Sequence, residues 1–410
     1  MIIKLAWRNL WRNKIRTTTM VCAMVFGLMG VVAMMGFMSG MYGNMIDNAI
    51  AWQVSHVQIQ NQRYLDDQDI NETLINPQPL IEALRTMPGV KAFSARFLVD
   101  GMIASARANR GIRINGVDSD AEAKVTPIAG SIIQGRWLLQ EGRNPIVVSQ
   151  KTAERLRLKL GSKVVLTFSN AHKDVTGAAF RVAGIFSSPS SGFDEANSYV
   201  RRSDLAKLAG VEGIHEIAVV LNESNNLDNR SALELAGQLS QLSDTGNRVR
   251  DWQQVQPLLA TIISQMGATN AVILAIFVSA MGLGIVNVML MSVFERTREL
   301  GVLMAIGMAK RQVFTLILLE STLLGITGAT IGSLASLLLV TLLAQTGIPL
   351  GNMAQGLGAF GVDTTLYPSV SSNEYAAAFV TVILVSILAS LYPARQILKQ
   401  RPVDAMSQKH

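Results

Sequence analysis

The sequence predicts a membrane protein with four transmembrane α-helices and a large α/β extracytoplasmic domain between helices 1 and 2. Three observations predict this fold. No Asp, Glu, Lys or Arg occurs between Asp251 and Glu295, and only Glu320 breaks the uncharged run from Arg311 to Asp363. A helix needs about 20 apolar residues to cross a bilayer, so both runs are long enough. A third uncharged run, 17–46, lies near the start, whereas residues 47–256 have the mixed composition of a soluble domain. Charged residues make up 16% of the 410-residue chain, against roughly 25% in soluble domains.

Residues 1–16, MIIKLAWRNLWRNKIR, form a cytoplasmic basic amphipathic segment. Lys4, Arg8, Arg12 and Arg16 fall on one strip of a helix, with Trp7 and Trp11 on an adjoining apolar strip. Such a helix suits the headgroups of an anionic leaflet, and a plain basic flank of the first span gives the same orientation. Transmembrane helix 1 is assigned to 17–46. Its apolar stretch, Met20–Met38, is longer than the roughly 7–15 residues of a signal-peptide core. Nine of the 19 methionines fall within residues 1–45. They read as lipid-compatible side chains, with Met34, Met35 and Met38 as candidates to face a soft, variable substrate. Gly36 and Gly40 are spaced to admit another helix closely.

Within 47–256, strands are predicted at Val54–Gln60, Ala92–Ala104, Gly111–Val117, Ile146–Val148, Lys163–Phe168, Phe180–Ile185 and Glu216–Leu221. Helices are predicted at Pro79–Met87, Lys151–Leu158, Ser203–Leu208 and Leu227–Leu242. The flanks, 48–125 and 213–255, read as one subdomain, with 126–212 inserted as a second. Helix 2 is assigned to 257–293, longer than one crossing requires. A cytoplasmic turn at 294–311 leads to helix 3, 312–344, in which Gly328 and Gly332 are spaced for close packing. An extracytoplasmic Gly-rich loop, 345–373, then precedes helix 4 at 374–393 and a cytoplasmic tail at 394–410. The loop reads as a connector, with a substrate gate as the sharper alternative.

The charge pattern orients these elements. Five basic residues lie in 1–16, four in 294–311 and four in the tail, while 345–373 has none. By the positive-inside rule both termini and the turn face the cytoplasm, and the large domain and the loop face outside. The net charge of +7 therefore serves orientation, and nucleic acid is not an expected partner. The lone Cys22 forms no internal disulfide. There is no GxxxxGK[ST] loop and no GxSxG, and His56, His172, His215 and His410 are scattered without metal-ligand spacing. No catalytic, cofactor-binding or metal-binding residue is assigned. Glu320 reads as interfacial or bundle-facing, since an ionisable group inside a span needs a partner.

The turn at 294–311 packs Glu295, Arg296, Arg298, Glu299, Lys310 and Arg311 around a short apolar helix. Leu300, Leu303 and Met304 share one face of that helix, and Gly307 is placed to end it. A helix this short must pack against something: the membrane surface, the chain's own helices, or an outside subunit.

The motif E-x3-E-L-G-x-L-x-A-I-G, carried here by Glu295, Glu299, Leu300, Gly301, Leu303, Ala305, Ile306 and Gly307, resembles the coupling helix of MacB/FtsX-type ABC transporter permeases. The start, W-R-N-L-W-R-N-K-x-R-T, is similar to that family. So is the tail, Tyr392-Pro393-Ala394-Arg395 through Arg401-Pro402-Val403-Asp404-Ala405-Met406, although Ile397 and Met406 depart from its pattern. The segment Ile146–Phe186 resembles the smaller subdomain of the family's outer domain. Layout and length are nearest to the lipoprotein-releasing (LolC/LolE-like) branch.

The resemblance implies a non-catalytic permease subunit in a bacterial inner membrane, working by mechanotransmission. Its partners would be cytoplasmic P-loop ATPase subunits, a second copy or sister permease, membrane lipids, and a periplasmic adaptor or acceptor. It implies no cofactor on this chain, with ATP and Mg bound in the partner subunit. Lipoprotein or another hydrophobic or amphipathic molecule would be the substrate. The alternative is an FtsX-like signalling subunit that controls a cell-wall hydrolase and transports nothing. On this resemblance Glu295, Arg296, Arg298, Glu299, Leu300, Gly301, Leu303, Ala305, Gly307, Lys310 and Arg311 are coupling residues. Arg395, Lys399 and Arg401 would brace them.

Overall fold

The computed structural model describes residues 2–138, 142–222, 226, 229–351, 353–358 and 361–399. The chain divides into two units, one built from residues up to 41, 265–348 and 367 onward, the other from 42–264 and 349–366.

The first unit is helical. Helix α1 (Ile2–Leu10) is followed by α2 (Lys14–Asn48), α3 (Pro257–Glu295), the short α4 (Thr297–Ala305), α5 (Lys310–Thr346) and α6 (Ser372–Lys399). Four of these are long and apolar enough to cross a membrane. Helix α3, at 39 residues, spans roughly 58 Å at 1.5 Å per residue, well beyond a hydrocarbon core of about 30 Å.

Small residues set the helix contacts. A Cβ on Gly325 would sit 2.7 Å from Ser386 of α6, one on Gly328 would sit 2.6 Å from Met24 of α2, and one on Gly332 would sit 2.9 Å from Leu28. Gly36 and Gly40 differ from the sequence expectation, because their close neighbour is not a helix. The extended segment Tyr367–Val370 lies against them, and the Ser369 N–H donates to Gly36 O at 3.1 Å.

The residues 1–16 do not form one helix. α1 ends at Leu10, and Asn13 opens α2 by accepting the Arg16 N–H. Thr17 Oγ1 donates back to Leu10 O, which holds the break.

The second unit carries a ten-stranded sheet: β1 (Val57–Asn61), β2 (Val90–Ala104), β3 (Asn109–Val117), β4 (Ile132–Gly135), β5 (Pro145–Ser149), β6 (Lys163–Ser169), β7 (Val175–Phe186), β8 (Asn197–Arg201), β9 (Glu216–Leu221) and β10 (Asn247–Asp251). The predicted Val54 strand start shifts to Val57, because residues 49–54 form a π-helical turn that Ser55 closes with φ 56°.

Two lobes share β2. Its first half pairs with β9 in the order β10–β1–β9–β2. The apolar side of this sheet, with Val57, Ile59, Ile217 and Val219, packs on helices 78–86 and 230–242. The second half of β2 pairs with β3, and pairing continues through β8, β5, β7 and β6 back to β2. This closes a six-stranded barrel, which leaves no exposed edge in that ring. Phe97, Ile103, Ile114, Val148, Leu166 and Phe180 fill it. A Cβ at Gly101 would lie 2.6 Å from Thr167 O, so glycine permits the approach of β2 to β6. The sequence divided this region at 126 and 212; in the structure β2 and β3, which precede 126, also build the second sheet and its core.

His215 pins the lobes' shared strand. The ring is buried 4.7 Å from Tyr64 and 4.4 Å from Phe97. Its Nδ1 accepts the Leu98 N–H at 3.1 Å, and its Nε2 donates to Ile70 O at 2.8 Å. This arrangement uses the neutral ring, and burial lowers the His215 pKa below its usual value. A depressed histidine contributes stability above about pH 6.5 and loses it as pH falls, since the unfolded chain then takes up the proton first. His215→Phe should therefore destabilise the fold by about 2 kcal/mol near pH 7.5. The gap from wild type, read by denaturant unfolding, should narrow towards pH 5.5; a gap independent of pH would contradict the neutral-ring assignment.

Candidate functional site

The charged turn between α3 and α5 and the N-terminal break come together in space. Because the helix breaks at residues 11–13, Arg12 and Arg16 leave the strip they would share with Lys4 and Arg8. Arg12 Nη2 donates to both carboxylate oxygens of Glu299, at 2.9 and 2.8 Å. Arg16 Nη1 donates to Glu295 Oε2 at 3.1 Å. The Arg12 guanidinium, and with it Arg296, holds the Glu299 carboxyl below its usual pKa.

A second pair lies deeper. Arg296 Nη1 donates to Glu320 Oε1 and Oε2 at 3.1 and 3.0 Å, and Arg296 Nε reaches Glu299 Oε2 at 3.4 Å. Asn9 Nδ2 donates to Glu320 Oε1 at 2.9 Å. The Arg296 and Glu320 side chains are only 11% and 10% exposed, whereas those of Arg12 and Glu299 are about half exposed. Glu320, the single acid of the third span, is thus bundle-facing and paired.

The short helix α4 has two unlike faces. Leu300 and Gly301 are buried, and Leu303 and Met304 pack with Met20, Met289, Val293 and Val313. The partner of the predicted apolar face is therefore the chain's own bundle. Arg298, Glu299, Ala305 and Gly307 are exposed, as are Lys310 and Arg311 in the first turn of α5. Gly307 has φ 108°, so the left-handed bend after α4 favours glycine. Val302 and Ile306, 42% and 79% exposed, add a surface apolar pair, of which the motif included Ile306 and sequence reasoning did not single out Val302. Their spacing of one helical turn was the available signal.

Beside this turn, a groove of about 1020 Å³ is lined by Lys4, Trp7, Arg8, Trp11, Arg12 and Met308. Arg395 is exposed on α6, Lys399 ends that helix, and Arg401 lies outside the described residues. Met34, Met35 and Met38 do not act as one surface: Met35 is buried in the bundle while Met34 is exposed and Met38 is half-buried.

Residues 17–232 match the MacB-like periplasmic core domain, and residues 271–402 match the FtsX-like permease C-terminal domain. The chain is similar to the Bacillus subtilis (strain 168) ABC transporter permease YvrN, with 23% identity over 431 residues covering 98% of each. It is also similar to the macrolide export ATP-binding/permease protein MacB of Bordetella avium (strain 197N), with 22% identity over 97% of this chain and 58% of that protein. A MacB of Shewanella sp. (strain W3-18-1) shares 29% identity over 56% of this chain and 34% of its own length. The chain thus spans between a third and three fifths of these MacB relatives. Among solved structures, the periplasmic region of MacB from Actinobacillus actinomycetemcomitans covers 53% of this chain with a TM-score of 0.36 and 13% identity.

The buried pair makes a direct prediction. Removing one partner leaves the other charge with only its secondary contact, Asn9 for Glu320 or Glu299 for Arg296, and breaking a buried pair in this way costs about 3 kcal/mol. Arg296→Met or Glu320→Leu alone should lower stability by about that amount, measured by thermal unfolding in detergent. The double variant should recover most of the loss. A double variant as unstable as the sum of the singles would show that the pair is not the stabilising unit.

Proposed function

The chain belongs to the MacB/FtsX family of ABC transporter permeases, and from that premise we propose that it is the non-catalytic permease subunit of an ATP-driven transporter. ATP hydrolysis takes place in a separate cytoplasmic P-loop subunit, which engages the 294–311 turn. Work done there is passed along the long helices α2 and α3 to the outer domain, by mechanotransmission. The substrate is a lipoprotein or another hydrophobic or amphipathic molecule taken from the inner membrane.

The observation that carries this reading is the build of the turn. Its apolar face is anchored on the bundle through Leu300, its acids are held by Arg12 and Arg16, and its root is fixed by Arg296 and Glu320. A short helix fixed on one side, with Val302 and Ile306 left outward, suits a ball-in-socket contact with a soluble motor. The basic residues around the turn and at both termini support a cytoplasmic side for it.

Native extraction of the tagged protein followed by mass spectrometry tests the reading. A P-loop ATPase should accompany it; its absence would sink the proposal, and a cell-wall hydrolase in place of membrane substrates would favour the signalling alternative. Glu299→Lys should leave that assembly intact while lowering substrate release by about tenfold, within the usual range of coupling free energies. The swap Arg12→Glu with Glu299→Arg should restore part of the release, because it rebuilds the pair.

A further inference from the structure

The outer domain holds a cleft of about 450 Å³ where its two lobes meet, within the roughly 300–1,000 Å³ of small-ligand sites. Its floor is the second face of the β10–β1–β9–β2 sheet. Strand register places Gln60 beside Glu216 and Glu216 beside Arg96, with Gln58 opposite Arg250. A sheet whose first face is packed on a core usually turns its other face to water. Here the second face is polar and yet buried: Gln58, Gln60, Arg96 and Glu216 are each 4–6% exposed.

These groups form one chain of hydrogen bonds. Glu122 accepts from Arg96 at 2.7 and 3.1 Å, and Arg96 donates to Glu216 at 2.8 Å. Gln60 donates to Glu216 at 2.8 Å and accepts from Arg250 Nη2 at 2.6 Å. Charges along the chain balance, with Arg96 and Arg250 against Glu122 and Glu216. On the opposite wall Arg113 is likewise matched by Asp100, at 2.9 and 3.0 Å. What remains is neutral hydrogen-bonding capacity. The Gln58 side chain has no hydrogen-bond partner among the described residues, and Arg250 engages only Nη2. Asn115 and Asn197 also line the cleft, with their amide nitrogens already engaged by Asn197 Oδ1, Ser198 O and Phe193 O, and Trp52, Tyr64 and Tyr199 are buried in its walls.

We propose that this cleft binds a saccharide. A charged ligand would upset a balanced set of ion pairs, and an apolar one would strand buried amides without partners. An extended peptide pairs with a sheet edge, whereas the cleft presents a sheet face. Side-chain amides and guanidinium–carboxylate pairs, each offering donors and acceptors a few ångströms apart, match the vicinal hydroxyls of a sugar ring.

Calorimetric titration of the full chain in a non-glycosidic detergent tests this, with cellotriose, maltotriose and chitotriose as probes and trialanine and sulfate as controls. At least one saccharide should bind saturably with Kd below about 1 mM. Gln58→Leu, which removes no existing hydrogen bond, should weaken binding about tenfold, and Arg250→Gln should do the same. Thermal unfolding checks that each variant stays folded. The proposal is overturned if no saccharide saturates the protein, if both variants bind like wild type, or if only trialanine or sulfate binds.

Discussion

A charge that cannot reach water must have a partner, and that constraint organises the helical unit. Its spans carry very few charged groups, and the acids Glu320 and Glu374 are each tied off near the start of a helix. Glu320 takes Arg296 and Asn9 near the start of α5, and Glu374, at the start of α6, takes Asn270 Nδ2 at 2.8 Å. Between these polar nodes the helices meet through glycine and serine, the means by which helices associate where apolar burial gives no preference.

The constraint also explains what could be read in advance. Long uncharged runs fix helix existence, so four long apolar helices appear in those stretches, the last running on to Lys399. The alternating strand Lys163–Phe168 is legible because one face must be dry, and Glu216–Leu221 is legible as a short, largely apolar run buried on both faces. Strand β10, NRVRD, is not legible, because it is a charged edge strand recognised only by its pairing with β1. Strand β8, NSYVR, is equally short and mixed and becomes a strand between β3 and β5. Barrel closure rests on three residue pairs between β2 and β6, a long-range event without a local signature.

The residues of the candidate site show the same divide. The acids of the turn stand out in sequence because they interrupt an apolar chain, and so do the arginines near the start. That Arg12 meets Glu299 across 287 positions depends on the break at residues 11–13. A regular helix would keep Arg12 on the strip with Lys4 and Arg8, so the fourfold spacing pointed to a lipid-facing surface and hid the brace. For α4 the apolar face was visible, but periodicity does not identify which neighbour covers it.

The ion pairs at the turn are graded by depth, and the gradient bears on mechanics. The outer pair, Arg12 with Glu299, lies in water and contributes at most about 1 kcal/mol, so it breaks and re-forms readily. The inner pair, Arg296 with Glu320, lies where an unpaired charge costs several kcal/mol, so it holds. Arg296 also reaches Glu299, which links the two levels through one guanidinium. On the proposed coupling role, a push on α4 would meet this soft contact first and act against the firm root beneath it.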